Sequence, residues 1–126
     1  RRYALVMEAI GEGVYDWNVT DGSVEHSPGI YRQLRLTGAE LGTSAADWRS
    51  RIHPEDLPRF DRALVDHFKR NTERFDCEVR YRASDGEWRW ARQHGLAVRD
   101  ERGRAIRLVG STGDITERKR LAEELD

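Results

Sequence analysis

The 126-residue sequence has a single cysteine, Cys77, so no disulfide closes within the chain and no set of thiolates is available to hold a metal. It has no apolar run near the roughly 20 residues that a membrane helix needs. Neither charge sign is in excess: 22 basic and 23 acidic side chains leave a formal charge of -1, spread along the whole length. Nucleic acid or an anionic membrane surface would call for a basic stripe, so neither is an expected partner of this segment. Gly-rich phosphate loops, zinc-ligand spacings and catalytic triads are missing, and the four histidines are scattered. No metal site is expected. The chain begins at Arg1 without an initiator Met or a signal pattern, which suggests an excised piece of a longer cytoplasmic protein.

Charge and aromatic rings are what the sequence does have. Charged residues make up 36% of it and aliphatics are sparse, while four Trp, four Tyr and three Phe carry large apolar area. A chain this long builds one domain around one core, and rings must fill much of that core.

Tyr3, Val6, Met7 and Ile10 recur at helical spacing and form one apolar face that Gly11 and Gly13 bring to an end. From Val14 to Val19 the period is two, with Tyr15, Trp17 and Val19 on one side, and Asp21-Gly22 supplies a tight turn into a second strand at Val24. Ser27-Pro28 reads as a helix start with Ile30 and Leu34 one turn apart, and Thr37-Gly38 as its stop. Ser44 with Asp47 starts another helix, placing Trp48 and Ile52 together. Pro54 is expected to open the longest helix, with Glu55 and Asp56 in its first turn and Leu57, Phe60, Leu64 and Phe68 on its buried side. Phe75, Cys77, Val79 and Tyr81 then alternate with charged residues, Asp85-Gly86 turns the chain, and Glu87 to Arg99 and Ile106 to Thr112 complete a meander. In the middle strand Trp88, Trp90, Leu96 and Val98 oppose Arg89, Ala91 and Gln93, which leaves the buried row open. The order helix, two strands, three helices, three strands, helix predicts an α+β fold with one five-stranded antiparallel sheet and helices on one face.

Taken in order, Trp48 to Asp56, Glu78 to Arg82, Asp85 to Trp90, Gly103, Gly110 and Asp114 to Lys119 resemble the PAS sensory domain with its C-terminal PAC motif, over essentially the whole chain after Gly13. The resemblance implies strand order 2-1-5-4-3, helices closing one face over a cavity, and homodimers formed through flanking helices. It also implies an effector domain further along the same chain, such as a histidine kinase or a cyclic-dinucleotide enzyme. Residues 1–13 would then be an N-terminal flanking helix, 14–116 the PAS/PAC core and 117–126 the start of a C-terminal signalling helix.

Signal transmission is assigned to Asp114, Ile115, Thr116 and Glu117, where the last strand runs straight into a helix. Asp114 and Glu117 have capping-box spacing, with the Thr116 hydroxyl as the other candidate cap. Arg118, Leu121 and Leu125 then fall at a, d and a of a heptad, the start of a two-helix coil. A small-molecule pocket is expected among Trp48, Phe60, Leu64, His67, Tyr81 and Ala91. His67 lies on the helix that carries the iron ligand in haem-binding relatives, but a lone histidine is more often structural, and haem is not the expected cofactor. Flavin is not expected either, since no Asn-Cys-Arg-Phe stretch follows the short helices.

Cys77 reads as a buried inert thiol, His53 as a helix-start residue anchored by its ring, and Glu78 with Arg80 as a salt bridge along one strand. Trp88 and Trp90 are expected beneath the N-terminal helix or in a dimer interface. The function expected is a non-catalytic cytoplasmic sensor or dimerisation module. The alternatives are a ligand-free dimerisation scaffold and, from another class, a small α+β-cone enzyme using His53 or His94 as base beside Asp56.

Overall fold

A computed structural model describes residues 2–125, with no side chain described before Leu5 or at Glu8. The alternating residues Phe75, Cys77, Val79 and Tyr81 put every second side chain of β3 (Phe75–Arg82) against the core, and all four are buried. The same rule shapes β1 (Glu12–Asn18), β4 (Trp88–Arg99) and β5 (Ala105–Asp114), while β2 (Val24–His26) is a short edge strand. The five strands pair antiparallel in the order β2-β1-β5-β4-β3. Helix α1 (Arg2–Ala9) precedes the sheet and α6 (Thr116–Leu125) follows it. Between β2 and β3 come α2 (Ile30–Leu34), α3 (Gly38–Leu41), α4 (Ala45–Arg49) and α5 (Leu57–Phe68), four helices rather than the three expected.

The extra helix comes from capping chemistry. Thr37 does not stop a helix but starts α3: its hydroxyl accepts the Glu40 N–H while the Glu40 carboxylate accepts the Thr37 N–H. Helix α2 has already ended at Arg35, in the left-handed conformation with φ 58°. Ser44 and Asp47 make the same reciprocal box at the start of α4. Pro54 also moves out of its expected role, since α5 begins at Leu57 with Pro58 in its first turn, where a missing N–H costs nothing. Residues 54–56 form a turn instead, because the Asp56 carboxylate is taken by Arg80 on β3.

The register places Tyr15, Gly110, Gly95 and Phe75 in one row across four strands on the helix-covered face. Gly95 leaves room for the Tyr15 side chain, whose hydroxyl donates to the His94 carbonyl at 2.7 Å, and Gly110 lets β4 and β5 approach closely. A Cβ on Gly95 would come within 2.6 Å of that hydroxyl, and one on Gly110 would overlap the His94 carbonyl oxygen. Gly110→Ala is therefore expected to cost about 2–3 kcal/mol, the scale of an overpacked core. A urea midpoint that does not fall relative to the parent would refute this.

The row left open on β4 is decided by its polar members. Arg89, Ala91 and Gln93 are buried under the helices, and Trp88, Leu96 and Val98 are exposed on the opposite face. Among the described residues the two tryptophan rings meet charged and imidazole side chains. Lys119 of α6 lies 4.4 Å from the Trp90 ring, with Arg80 on the same ring, and Trp88 packs on His53 and Arg82. Glu78 and Arg80 do not pair with each other either: Glu78 holds Arg118 at 2.8 Å and Lys119 at 2.7 Å, while Arg80 reaches back to Asp56. Leu5 and Val6 on α1 and Ile10 just after it are exposed; Tyr3 lies outside the described side chains.

Candidate functional site

Between the inner sheet face and the helices lies a cavity of about 290 Å3. Its walls are apolar, drawn from Tyr15 and Trp17 on β1, Ile30 and Leu34 on α2, Trp48 on α4, Phe60 and Leu64 on α5, Phe75 on β3 and Leu108 on β5. One internal polar chain crosses it. The Trp48 indole N–H donates to Gln93 Oε1 at 2.9 Å, and Gln93 Nε2 donates to Thr112 Oγ1 at 3.0 Å. The amide group thereby holds the Trp48 ring in one orientation. Arg49 also faces the cavity but is gripped by Asp61 of α5, with Nε to Oδ1 at 3.0 Å, so its charge is matched from outside.

Tyr81 joins this cavity to the start of α6. Its ring packs on Trp48 with centroids 5.4 Å apart, and its hydroxyl proton is shared between the Leu34 carbonyl and Asp114 Oδ2, each at 2.8 Å. Asp114 also accepts from Arg89 Nε at 2.6 Å and from the Thr116 N–H at 2.8 Å. The Thr116 hydroxyl in turn accepts the Trp90 N–H at 2.9 Å, and the Ile115 N–H donates to the Trp90 carbonyl. Strand β4 and the first turn of α6 are thus locked by main-chain and side-chain bonds together.

Burial by itself raises the Asp114 carboxyl, but the Arg89 and Thr116 bonds outweigh it and hold the group below its ordinary range. Burial and the neighbouring Asp114 charge push the Tyr81 hydroxyl far up. At neutral pH the junction is an ion pair capped by a neutral phenol.

The junction is not the expected capping box. Asp114 does accept the Thr116 N–H, but Glu117 does not reach back; it is exposed and lies 3.8 Å from Arg120. The reason is position, since α6 begins only at Thr116, which leaves Asp114 one residue before the cap and Glu117 as the second helical residue rather than the third. Arg118, the first heptad position, is held by Glu78, while Leu121 and Leu125 are exposed.

Of the six expected pocket residues, Trp48, Phe60 and Leu64 line the cavity, whereas His67, Tyr81 and Ala91 lie outside its lining. Tyr81 and Ala91 are wholly buried behind it. His67 has both ring nitrogens engaged: Nε2 accepts the Ala97 N–H at 3.0 Å, and Nδ1 faces the Thr72 carbonyl at 3.2 Å and so carries the proton. It has no free nitrogen for iron, and the surroundings do not fit haem.

Cys77 is buried, and desolvation raises its thiol to about 11, so it is unreactive at neutral pH. His53 is anchored by its ring, whose Nδ1 accepts the Glu55 N–H at 3.1 Å, and Asp56 is bound to Arg80, so the two do not form an acid-base pair. His94 lies instead beside Asp76, at 3.8 Å. Among the described residues no group of three or more His, Cys, Asp or Glu could hold a metal ion.

Arg89, Gln93, Thr112, Trp17 and His26 carry no site signal in the sequence. For Arg89 and Gln93 the one visible sign is a polar residue in the β4 row that proves to face the helices, which is ambiguous in a strand with rings on the other side.

Residues 23–112 match the family model described as the PAS fold. The chain is similar to a sensory box histidine kinase/response regulator of Burkholderia thailandensis, at 30% identity and a TM-score of 0.84, over 99% of this chain and 92% of that one. It is also similar to the N-terminal domain of a diguanylate cyclase with PAS/PAC sensor from Marinobacter aquaeolei, at 28% identity and a TM-score of 0.69, over 86% of this chain and 98% of that one. An uncharacterized protein of Pseudomonas chlororaphis is 29% identical over 133 residues, covering 99% of this chain and 51% of the relative. The chain spans about half or less of the length of the curated relatives it matches. No helix is long and apolar enough to cross a membrane among the described residues. The family match runs from the turn of the first hairpin nearly to the end of β5, and the histidine-kinase relative extends it over almost every residue: the chain belongs to the PAS fold family.

Proposed function

We propose that this chain is a non-catalytic, cytoplasmic sensor module, in which occupancy of the cavity is relayed by Tyr81 through Asp114 to α6 and on to an effector of the histidine-kinase or diguanylate-cyclase type. The supporting observation is that one side chain, Tyr81, touches both the cavity wall at Trp48 and the carboxylate at the start of α6. In this reading residues 1–13 flank the core, 14–116 sense and 117–126 begin the output helix. Two chains pair through α1 and α6, where Leu5, Val6, Leu121 and Leu125 are exposed. Sensing needs no resident cofactor. A ligand moves the equilibrium only to the extent that it binds two arrangements of α6 with different affinity.

The exposed apolar side chains of α1 and α6 also support a ligand-free scaffold that only brings effectors together. The two readings separate without knowing the ligand. Leu64→Trp fills the cavity from within, and under the sensor reading it changes hydrogen exchange at the Lys119 amide by at least about threefold. The response disappears when Tyr81→Phe is added, which keeps the ring and removes the hydroxyl. Unaltered exchange at Lys119 in Leu64→Trp would favour the scaffold.

A further inference from the structure

Helix α6 is attached to the sheet at two places that differ in kind. The first is buried. Arg89 and Asp114, 10% and 12% exposed, pair at 2.6 Å, and the Thr116 hydroxyl accepts the Trp90 N–H at 2.9 Å. The second lies further along the helix, where one carboxylate on β3 takes two of its cations. Glu78 Oε2 accepts from Arg118 Nη2 at 2.8 Å, and Glu78 Oε1 from Lys119 Nζ at 2.7 Å. These three side chains are open to water, with Glu78 31%, Arg118 59% and Lys119 32% exposed.

Local geometry explains how one side chain does this. Adjacent helical residues point about 100° apart, so Arg118 and Lys119 form a fork that a two-oxygen carboxylate can enter. The Lys119 ammonium also lies 4.4 Å from the centre of the Trp90 ring. In the β3–β4 register Glu78 faces Arg92 and Arg80 faces Trp90, which makes Glu78 and Trp90 diagonal neighbours with Lys119 reaching both. The other charges nearby are committed elsewhere: Arg92 is held by Asp76 at 3.0 Å, and Arg80 by Asp56 at 2.8 Å and Glu55 at 3.3 Å. Glu78 is left to the helix. The Lys119 bond, with that of Arg118, outweighs burial and holds the Glu78 carboxyl below its ordinary range.

The two attachments answer differently to solvent. A buried pair is screened little, whereas an exposed one weakens as the Debye length falls from about 10 Å at 0.1 M salt to about 3 Å at 1 M. A lone surface pair contributes little, but here two pairs share one anion and a ring contact adds to one of them. We infer that Glu78 and Trp90 form a latch that sets the direction of α6, and that the helix opens by releasing Arg118 and Lys119 while it stays pinned at Asp114 and Thr116. Glu78 is a positioning residue that acts through Lys119, and the latch decides where Leu121 and Leu125 are presented. This rests on the reading of α6 as the output helix and adds a control on it that does not pass through the cavity.

The test is proton–carbon and proton–nitrogen NMR of the 126-residue chain. The sequence has two lysines, Lys69 and Lys119, and Lys69→Arg identifies the ε-methylene signal of the other. In the latch that methylene lies against the Trp90 ring, whose ring current moves it upfield of its position in the urea-unfolded chain. Glu78→Gln keeps the shape and removes the charge, and is expected to lower the latched-to-released ratio read from this shift by at least about fivefold, the effect of two coupled exposed pairs. Raising NaCl from about 0.1 M to about 1 M moves the parent toward the Glu78→Gln position and leaves Glu78→Gln nearly unmoved. The Arg89 Nε–H and Trp90 amide signals, both set by the pin, stay at their parent positions throughout, which also reports that the variant is folded.

The latch is overturned if the parent Lys119 methylene is unshifted, if Glu78→Gln leaves it in place, if salt moves parent and variant alike, or if the two pin signals move with it. Exchange at the Lys119 amide in Leu64→Trp tests the relay separately. A latch that behaves as expected, with no response to Leu64→Trp, upholds the latch and removes the relay from the cavity. A methylene unmoved by Glu78→Gln, with the amide responding to Leu64→Trp, removes the latch and upholds the relay.

Discussion

Asp114→Ala is expected to destabilise the chain by about 3–5 kcal/mol, because it strips the partner from a cation that the fold has already taken out of water. The Arg89 and Asp114 side chains are only 10% and 12% exposed, and their closest contact is 2.6 Å. With the carboxylate gone, Arg89 has no compensating charge at this junction, and the Thr116 N–H loses its acceptor. The Tyr81 hydroxyl still has the Leu34 carbonyl, so the loss concentrates on the α6 side of the network. Since domains of this size are stable by only about 5–15 kcal/mol, the alanine variant stands near the limit of folding.

Asp114→Asn keeps the shape and one acceptor, and is the better probe of coupling in a chain that stays folded. Urea denaturation of both variants measures the effect. An alanine variant within 1 kcal/mol of the parent would mean that the Arg89–Asp114 pair is not what fastens α6 to the sheet.

Asp56→Asn should cost about 2 kcal/mol at neutral pH and flatten the acid limb of the stability curve. The Asp56 side chain is 3% exposed, and its carboxylate accepts from the Arg80 main-chain N–H at 2.7 Å and from Arg80 Nη2 at 2.8 Å. Burial raises this carboxyl, but the two kinds of Arg80 bond, with the charges of Arg59 and Arg80, more than offset it and hold the pKa at about 2 against an unperturbed 3.8.

A folded-state pKa below the unfolded one contributes stability that is complete above the unfolded value and fades as pH falls through the folded value. The Asp56 contribution is therefore present above about pH 4 and lost between about pH 4 and pH 2, and a shift of this size corresponds to about 2 kcal/mol. Other carboxylates, Asp61 and Asp76 among them, are lowered too and share the acid limb. The difference between parent and Asp56→Asn curves isolates this one. Parallel curves from pH 7 to pH 2 would assign the carboxyl no linked role.

Locally decided features were legible. The alternation in β3, the Asp85-Gly86 turn and the Ser44–Asp47 capping box all appear where the residues place them, because strand period, a positive φ and a side-chain cap depend on neighbours within a few positions. Misreadings arose where a distant group competed. Asp56 looked like a first-turn anion but is taken by Arg80, 24 residues on, so α5 starts late. Glu78 and Arg80 looked like partners on one strand until α6 and the turn before α5 each claimed one. The candidate site is half legible: Trp48, Phe60 and Leu64 stand on the cavity, whereas Trp17 reads only as one ring of a strand and His26 as one residue of a short one, because which side chains close a cavity is a property of three-dimensional surroundings.

By itself the sequence determined a sheet of five strands, a helical middle and a strand that hands directly to an outgoing helix, since periodicity and turn residues are read over short windows. Only the tertiary structure decided which row of β4 is buried. A two-sided strand is oriented by the sum of its partners, and Trp48, Thr112 and Asp114 give Gln93 and Arg89 bonds that solvent would otherwise supply. The same packing left an unfilled volume between Trp17 and Leu64, because side chains at helical and strand spacings tile a core only as well as their shapes permit.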